Sequence, residues 1–125
     1  MSKKSLIIGF GNRAKEVVMP ALVLSGHEIS IYSRDVNKLK NYKNYFNFKI
    51  IKELNKKNLY QIDQIFICTK NHIYQSIIQQ ILKTGLNKNI TLFVDTPLLY
   101  HFFEIKKFRN NFKNFIISED EAFDP

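Results

Sequence analysis

The stretch Leu6-Ile7-Ile8-Gly9-Phe10-Gly11-Asn12-Arg13-Ala14 decides how the rest of the chain is read. Its apolar run predicts a buried strand ending at Gly9, and the pattern G-x-G-x-x-A then leads into a segment of helical length. Each small residue has its own task in such a turn. Gly9 permits a tight exit from the strand, Gly11 lets the backbone approach a pyrophosphate, and Ala14 keeps the helix close to the sheet. The helix start offers unpaired N–H groups and a partial positive charge, so Gly11, Asn12 and Arg13 are the expected anion cradle. Similar turns occur in SAM-dependent enzymes and nucleotide-sensing folds, and glycines between a strand and a helix also serve simply as turns.

Working outward, short β-branched runs alternate with longer mixed segments. Strands are expected at Ser5 to Gly9, Glu28 to Ser33, Phe48 to Ile51, Gln64 to Thr69, Ile90 to Asp95 and Asn114 to Ser118. Helices are expected at Asn12 to Ser25, Val36 to Tyr45, Ile73 to Lys83 and Leu98 to Asn111, with one short helical turn between the third and fourth strands. This rhythm predicts an α/β fold: a doubly wound, mainly parallel six-stranded Rossmann sheet with helices on both faces. Gly26 and Gly85 fall where helices should stop. Pro20 lacks a backbone donor and should kink or break the first helix.

The second strand ends in Ser33-Arg34, 19 and 20 residues beyond Ala14, where sites for NAD usually carry an acidic residue for the ribose 2′-hydroxyl. A hydroxyl and a planar cation suit a 2′-phosphate instead, and Lys38 stands one helical turn further on. NADP is therefore favoured over NAD. The alternative is a turn shifted so that Asp35 serves the ribose and Arg34 is a solvated residue.

With 125 residues, the chain is expected to form one dinucleotide-binding unit, 1–125, without a C-terminal substrate domain. Net charge is +8, and residues 1–60 hold 12 Lys or Arg against 4 Asp or Glu, whereas 61–125 hold 7 against 7. A basic half can attract nucleic acid, and Tyr42, Tyr45, Phe46 and Phe48 interleave with Lys40, Lys43 and Lys49. That pattern reads more simply as the buried face of a helix and a strand between solvated lysines, which argues against a nucleic-acid partner. The aromatic stripe Phe102, Phe103, Phe108 and Phe112 reads mainly as core and leaves room for self-association or a missing domain. Cys68 is the sole cysteine, no secretory signal opens the chain, and no apolar run approaches the roughly 18 residues of a membrane span, so a cytoplasmic, membrane-free protein is expected.

The first turn, Ser33-Arg34, Cys68-Thr69-Lys70-Asn71 and Asp95-Thr96-Pro97, in this order and spacing, resemble the N-terminal domain of the glucose-fructose oxidoreductase, inositol dehydrogenase and MocA family (Gfo/Idh/MocA). The resemblance covers essentially the whole chain. It implies that Thr69, Lys70 and Asn71 stand for the family's Thr-Pro-Asn segment beside the cofactor, with Tyr74 in the slot of its histidine. His72 is out of register by two residues and reads as a helix-start or surface residue. The family's Glu-Lys-Pro appears as Asp95-Thr96-Pro97, so Thr96 occupies the place of a lysine implied to lie near the nicotinamide. Threonine carries no charge and is no general acid near neutral pH.

The resemblance thus implies a nicotinamide-dinucleotide-binding unit of an oxidoreductase for a sugar-like or polyol substrate, without turnover on its own. The other reading is a non-catalytic binding or regulatory protein of the same descent. The cofactor would be held by Gly9, Gly11, Asn12, Arg13, Ala14, Ser33, Arg34, Lys38, Thr69, Lys70, Asn71, Asp95, Thr96 and Pro97. No catalytic residue is assigned, and no cluster with metal-ligand spacing stands out.

Overall fold

The computed structural model describes residues 3–9, 11, 14–33, 36–43, 46–69, 74–95 and 108–118. Within them six strands form one sheet: β1 (Lys4–Ile8), β2 (Glu28–Tyr32), β3 (Lys49–Ile51), β4 (Gln64–Ile67), β5 (Thr91–Asp95) and β6 (Asn114–Ser118). Every pairing is parallel, in the order β3-β2-β1-β4-β5-β6. The order reverses direction between β1 and β4, as in a doubly wound sheet. Register is continuous across the centre, with Ile7 beside Ile31 on one side and Phe66 on the other.

Strand alternation sends side chains to two separate cores. Leu6 and Ile8 face a cluster with Ile65, Ile67, Leu92 and Val94, whereas Ile7 faces the opposite cluster with Ile29 and Ile31. Both faces are buried by helices, which is why β1 reads as an unbroken apolar run instead of an alternating one. The helical segment of Ala14–Val18 and α1 (Met19–Leu24) covers the Ile7 face through Ala14, Met19 and Leu22, joined by Leu39 of α2 (Val36–Tyr42). The other face takes Leu59 of α3 (Lys56–Leu59) and Ile77, Ile78 and Ile81 of α4 (Tyr74–Lys83). Ile78 and Ile81 have no exposed surface, and burial of each such side chain contributes about 1.5–3 kcal/mol.

Differences from the sequence reading are local. The first helix does break near Pro20: Ala14–Val18 forms a π-helical turn and the α-helix begins at Met19, with proline in its first turn. There the missing N–H falls among donors that an α-helix leaves unpaired anyway. α2 ends at Tyr42 instead of reaching Tyr45, which lies outside the described residues. Of the helix expected over Leu98 to Asn111, only the last four residues are described, and Arg109–Asn111 form a 3-10 turn. Gly26 and Gly85 follow α1 and α4 with φ of +72° and +76°.

The aromatic residues around the second helix are packed inward. Phe48 is buried, and Tyr42 and Phe46 pack on the same cluster, while Lys15 places its ammonium 4.7 Å from the Tyr42 ring centroid. Phe108 and Phe112 belong to the α4-side core; Phe102 and Phe103 lie outside the described residues. Among the described residues no helix is long and apolar enough to cross a membrane.

Candidate functional site

The carboxyl ends of β1, β2 and β4 are tied together by the backbone. Gly9 N–H donates to the Tyr32 carbonyl at 2.9 Å, and Cys68 N–H donates to the Ile8 carbonyl at 2.8 Å. These bonds bring three strand ends level, next to the reversal of strand order, where a crevice opens in this topology.

Gly9 has φ +88°, a conformation that side chains disfavour. A Cβ at this position would lie 2.6 Å from Thr69 Cγ2 and 3.0 Å from the Cys68 carbonyl oxygen. The fold itself therefore demands glycine here. Gly11 differs: a Cβ there would meet no described residue within 4 Å. No described residue gives a packing reason for glycine at 11 or fills the space beside its backbone. The chain then enters its helical segment through a bond from Lys15 N–H to the Gly11 carbonyl at 3.1 Å, and fully buried Ala14 sits against the sheet.

A cleft of about 240 Å³ opens at this place, lined by Ile8, Gly9, Tyr32, Ser33, Thr69, Ser76, Ile77 and Gln80. Its described lining is electrically neutral and mixes apolar walls with hydroxyl and amide groups. Thr69 Oγ1 is buried there and has no hydrogen-bond partner among the described residues. Leaving a buried hydroxyl unpaired costs about 1–3 kcal/mol, and a ligand acceptor in the cleft would remove that cost. Gln80 Nε2 reaches Ser76 Oγ at 3.5 Å, a weak contact that leaves both groups with further bonding capacity.

Of the residues singled out in the sequence, the structure gathers Gly9, Ser33 and Thr69 around this cleft, with Gly11 and Ala14 in the turn that leaves β1. Asn12, Arg13, Arg34, Asp35, Lys70, Asn71, Thr96 and Pro97, and also His72, lie outside the described residues, as do the side chains of Lys38, Tyr74 and Asp95. Sequence reasoning missed Ile8, Tyr32, Ser76, Ile77 and Gln80. Tyr32 could have been found as the strand residue before Ser33. Ser76 and Gln80 stand four apart on one side of an amphipathic helix whose other side is isoleucine-rich, a pattern that marks the polar face of the helix.

The residues present suit a dinucleotide. The positive φ of Gly9, the open space at Gly11, the buried Ala14 and the orphaned Thr69 hydroxyl meet at the strand ends. Solved structures share the fold. A Gfo/Idh/MocA family oxidoreductase from Vibrio cholerae is similar over 94% of this chain and 38% of its own, with TM-score 0.72 and 18% identity. Scyllo-inositol dehydrogenase from Lactobacillus casei, solved with NAD(H) and scyllo-inositol, is similar over 99% of this chain and 38% of its own, with TM-score 0.68 and 16% identity. A mutant of the 3-ketoreductase KijD10 from Actinomadura kijaniata, in complex with TDP-benzene and NADP, is similar over 86% and 36%, with TM-score 0.62 and 16% identity. The chain thus spans little more than a third of these proteins, which include the family that its motifs resemble. No curated protein matches it. Residues 4–96 match the family model described as NADP oxidoreductase, coenzyme F420-dependent, and the chain belongs to that family as a nicotinamide-dinucleotide-binding oxidoreductase domain of Rossmann fold.

Proposed function

We propose that the chain binds NADP in preference to NAD and serves as the cofactor half of an oxidoreductase acting on a sugar-like or polyol substrate. The observation that carries the reading is the cleft at the reversal of strand order, with an unsatisfied Thr69 hydroxyl facing an otherwise uncharged wall. The diphosphate would lie along Gly11, Asn12 and Arg13, the 2′-phosphate by Ser33, Arg34 and Lys38, and the nicotinamide end near Thr69, Lys70, Asn71, Asp95, Thr96 and Pro97. No described lining residue carries a carboxylate that would repel the 2′-phosphate. When bound, the dinucleotide supplies or accepts hydride; this chain's own residues hold and orient it and wall off water.

Residues 1–125 lack the lysine that the resemblance implies, with Thr96 in its place, and span little more than a third of the solved proteins they resemble. Binding without turnover is therefore expected of this chain alone, and Thr96 favours a second reading, a non-catalytic dinucleotide-binding or regulatory protein. Calorimetric titration with NADPH and NADH tests the cofactor. Selective NADPH binding that Arg34→Asp weakens far more than NADH binding supports the proposal. Preference for NADH moves the ribose contact to Asp35, and binding of neither removes the proposal. Restored oxidoreductase activity on adding a partner domain from a structural relative would reject the non-catalytic reading.

A further inference from the structure

Another hollow among the described residues lies at the opposite end of the sheet. Lys4, Glu28 and Lys49 are the first residues of β1, β2 and β3, and they border a groove of about 740 Å³ whose far wall is α3 and the turn after it. Its charge is lopsided. Glu28 is the single acid among the described lining residues, and Lys4 compensates it at 3.8 Å while also donating to Gln61 Oε1 at 2.8 Å. Lys43, Lys49 and Lys57 remain, and no described residue forms an ion pair or hydrogen bond with their ammonium groups.

A second observation comes from Ser30. Its side is nine-tenths buried (9% exposed), it lines the groove, and its hydroxyl has no partner among the described residues. What remains exposed of Ser30 lets its hydroxyl meet water in the groove, and it can exchange that water for an acceptor bound there. Tyr60, 66% exposed on the same wall, offers an apolar ring to the body of a ligand.

We propose that this groove is a second ligand site, for a small polyanion carrying two or more phosphate groups, and that it is filled independently of the cleft. Three mobile point charges around a pocket of small-molecule size suit a phosphorylated metabolite. A nucleic-acid strand fits less well, because it needs successive aromatic platforms, and here Tyr42, Phe46 and Phe48 are packed into the core. The site does not depend on which dinucleotide the cleft takes.

Inorganic tripolyphosphate, titrated into the 125-residue chain by calorimetry, is the probe. Lys49→Ser with Lys57→Ser should weaken binding roughly tenfold, by the loss of two charge-assisted contacts. Lys83→Ser with Lys113→Ser, which removes the same charge elsewhere, should leave it unchanged. Ser30→Ala should weaken binding without lowering the unfolding midpoint, which a purely structural serine would not do. Equal losses in both lysine pairs would reduce the effect to diffuse charge and overturn the proposal. So would loss of binding in Gly11→Ala, which would place the anion in the cleft, or tighter, groove-dependent binding of oligouridine than of tripolyphosphate.

Discussion

At the scale of single residues, Gly9 and Gly11 look alike in the motif but answer to different demands. Gly9→Ala must hold a positive φ and press a Cβ to within 2.6 Å of Thr69 Cγ2. The left-handed conformation costs about 1–2 kcal/mol and overpacking about 1–3 more, so urea unfolding should show a loss of at least ~2 kcal/mol without any ligand. Gly11→Ala meets open space; it should leave the apo protein's stability within about 0.5 kcal/mol and reduce NADPH affinity tenfold or more. A stability loss at Gly11 as large as at Gly9 would mean that both glycines serve the fold. Thr69→Val separates the same two roles from the other wall. Valine keeps the methyl group beside Gly9 and deletes a hydroxyl that no described residue pairs, so stability should hold or rise by about 1 kcal/mol while NADPH binding weakens. A destabilised Thr69→Val would show that the hydroxyl has a structural partner.

At the scale of elements, the strands were legible because a parallel sheet buried on both faces writes each strand as a short β-branched run between polar turns. All six lie within a few residues of their expected positions. What the sequence left hidden is conformational detail decided by competing hydrogen bonds. The widening of Ala14–Val18 into a π-turn involves residues with nothing unusual in their order, and only the missing N–H of Pro20 hinted at it. The cleft was half legible for a related reason. Gly9, Ser33 and Thr69 belong to motifs at strand ends, whereas the local pattern of α4 puts Ser76 and Gln80 on its polar face and only tertiary packing brings them to the cleft. Short α3 offers an element-scale prediction. Its Asn55 cap accepts from Asn58 N–H at 2.9 Å, and Asn58 in turn donates from its side chain to the Glu53 carbonyl at 2.8 Å. Asn55→Ala should cost about 1 kcal/mol in an equilibrium melt. It should also speed amide exchange at Asn58 and leave the cleft ligand's affinity unaltered, since α3 stands at the amino-end groove.

At the scale of the whole molecule, one sheet presents two chemically distinct ends. The carboxyl ends carry a small cleft without charge among its described lining residues, and the amino ends carry a wide groove with three lysines whose ammonium groups no described residue pairs. Between them lie central strands whose Leu6, Ile7, Ile8, Ile65 and Ile67 have no exposed surface. A core packed this closely resists gradual deformation, so ligands at the two ends should act on the fold independently. A ligand that binds only the folded state at one hundred times its Kd adds about 2.7 kcal/mol to the unfolding free energy. NADPH alone and tripolyphosphate alone, each at that ratio, should raise the urea midpoint by a corresponding amount, and the two together by the sum of their increments. A combined increment no larger than the bigger single one would mean that the anions compete for the cleft. A sum exceeding the separate terms would mean that the sheet transmits occupancy from one end to the other.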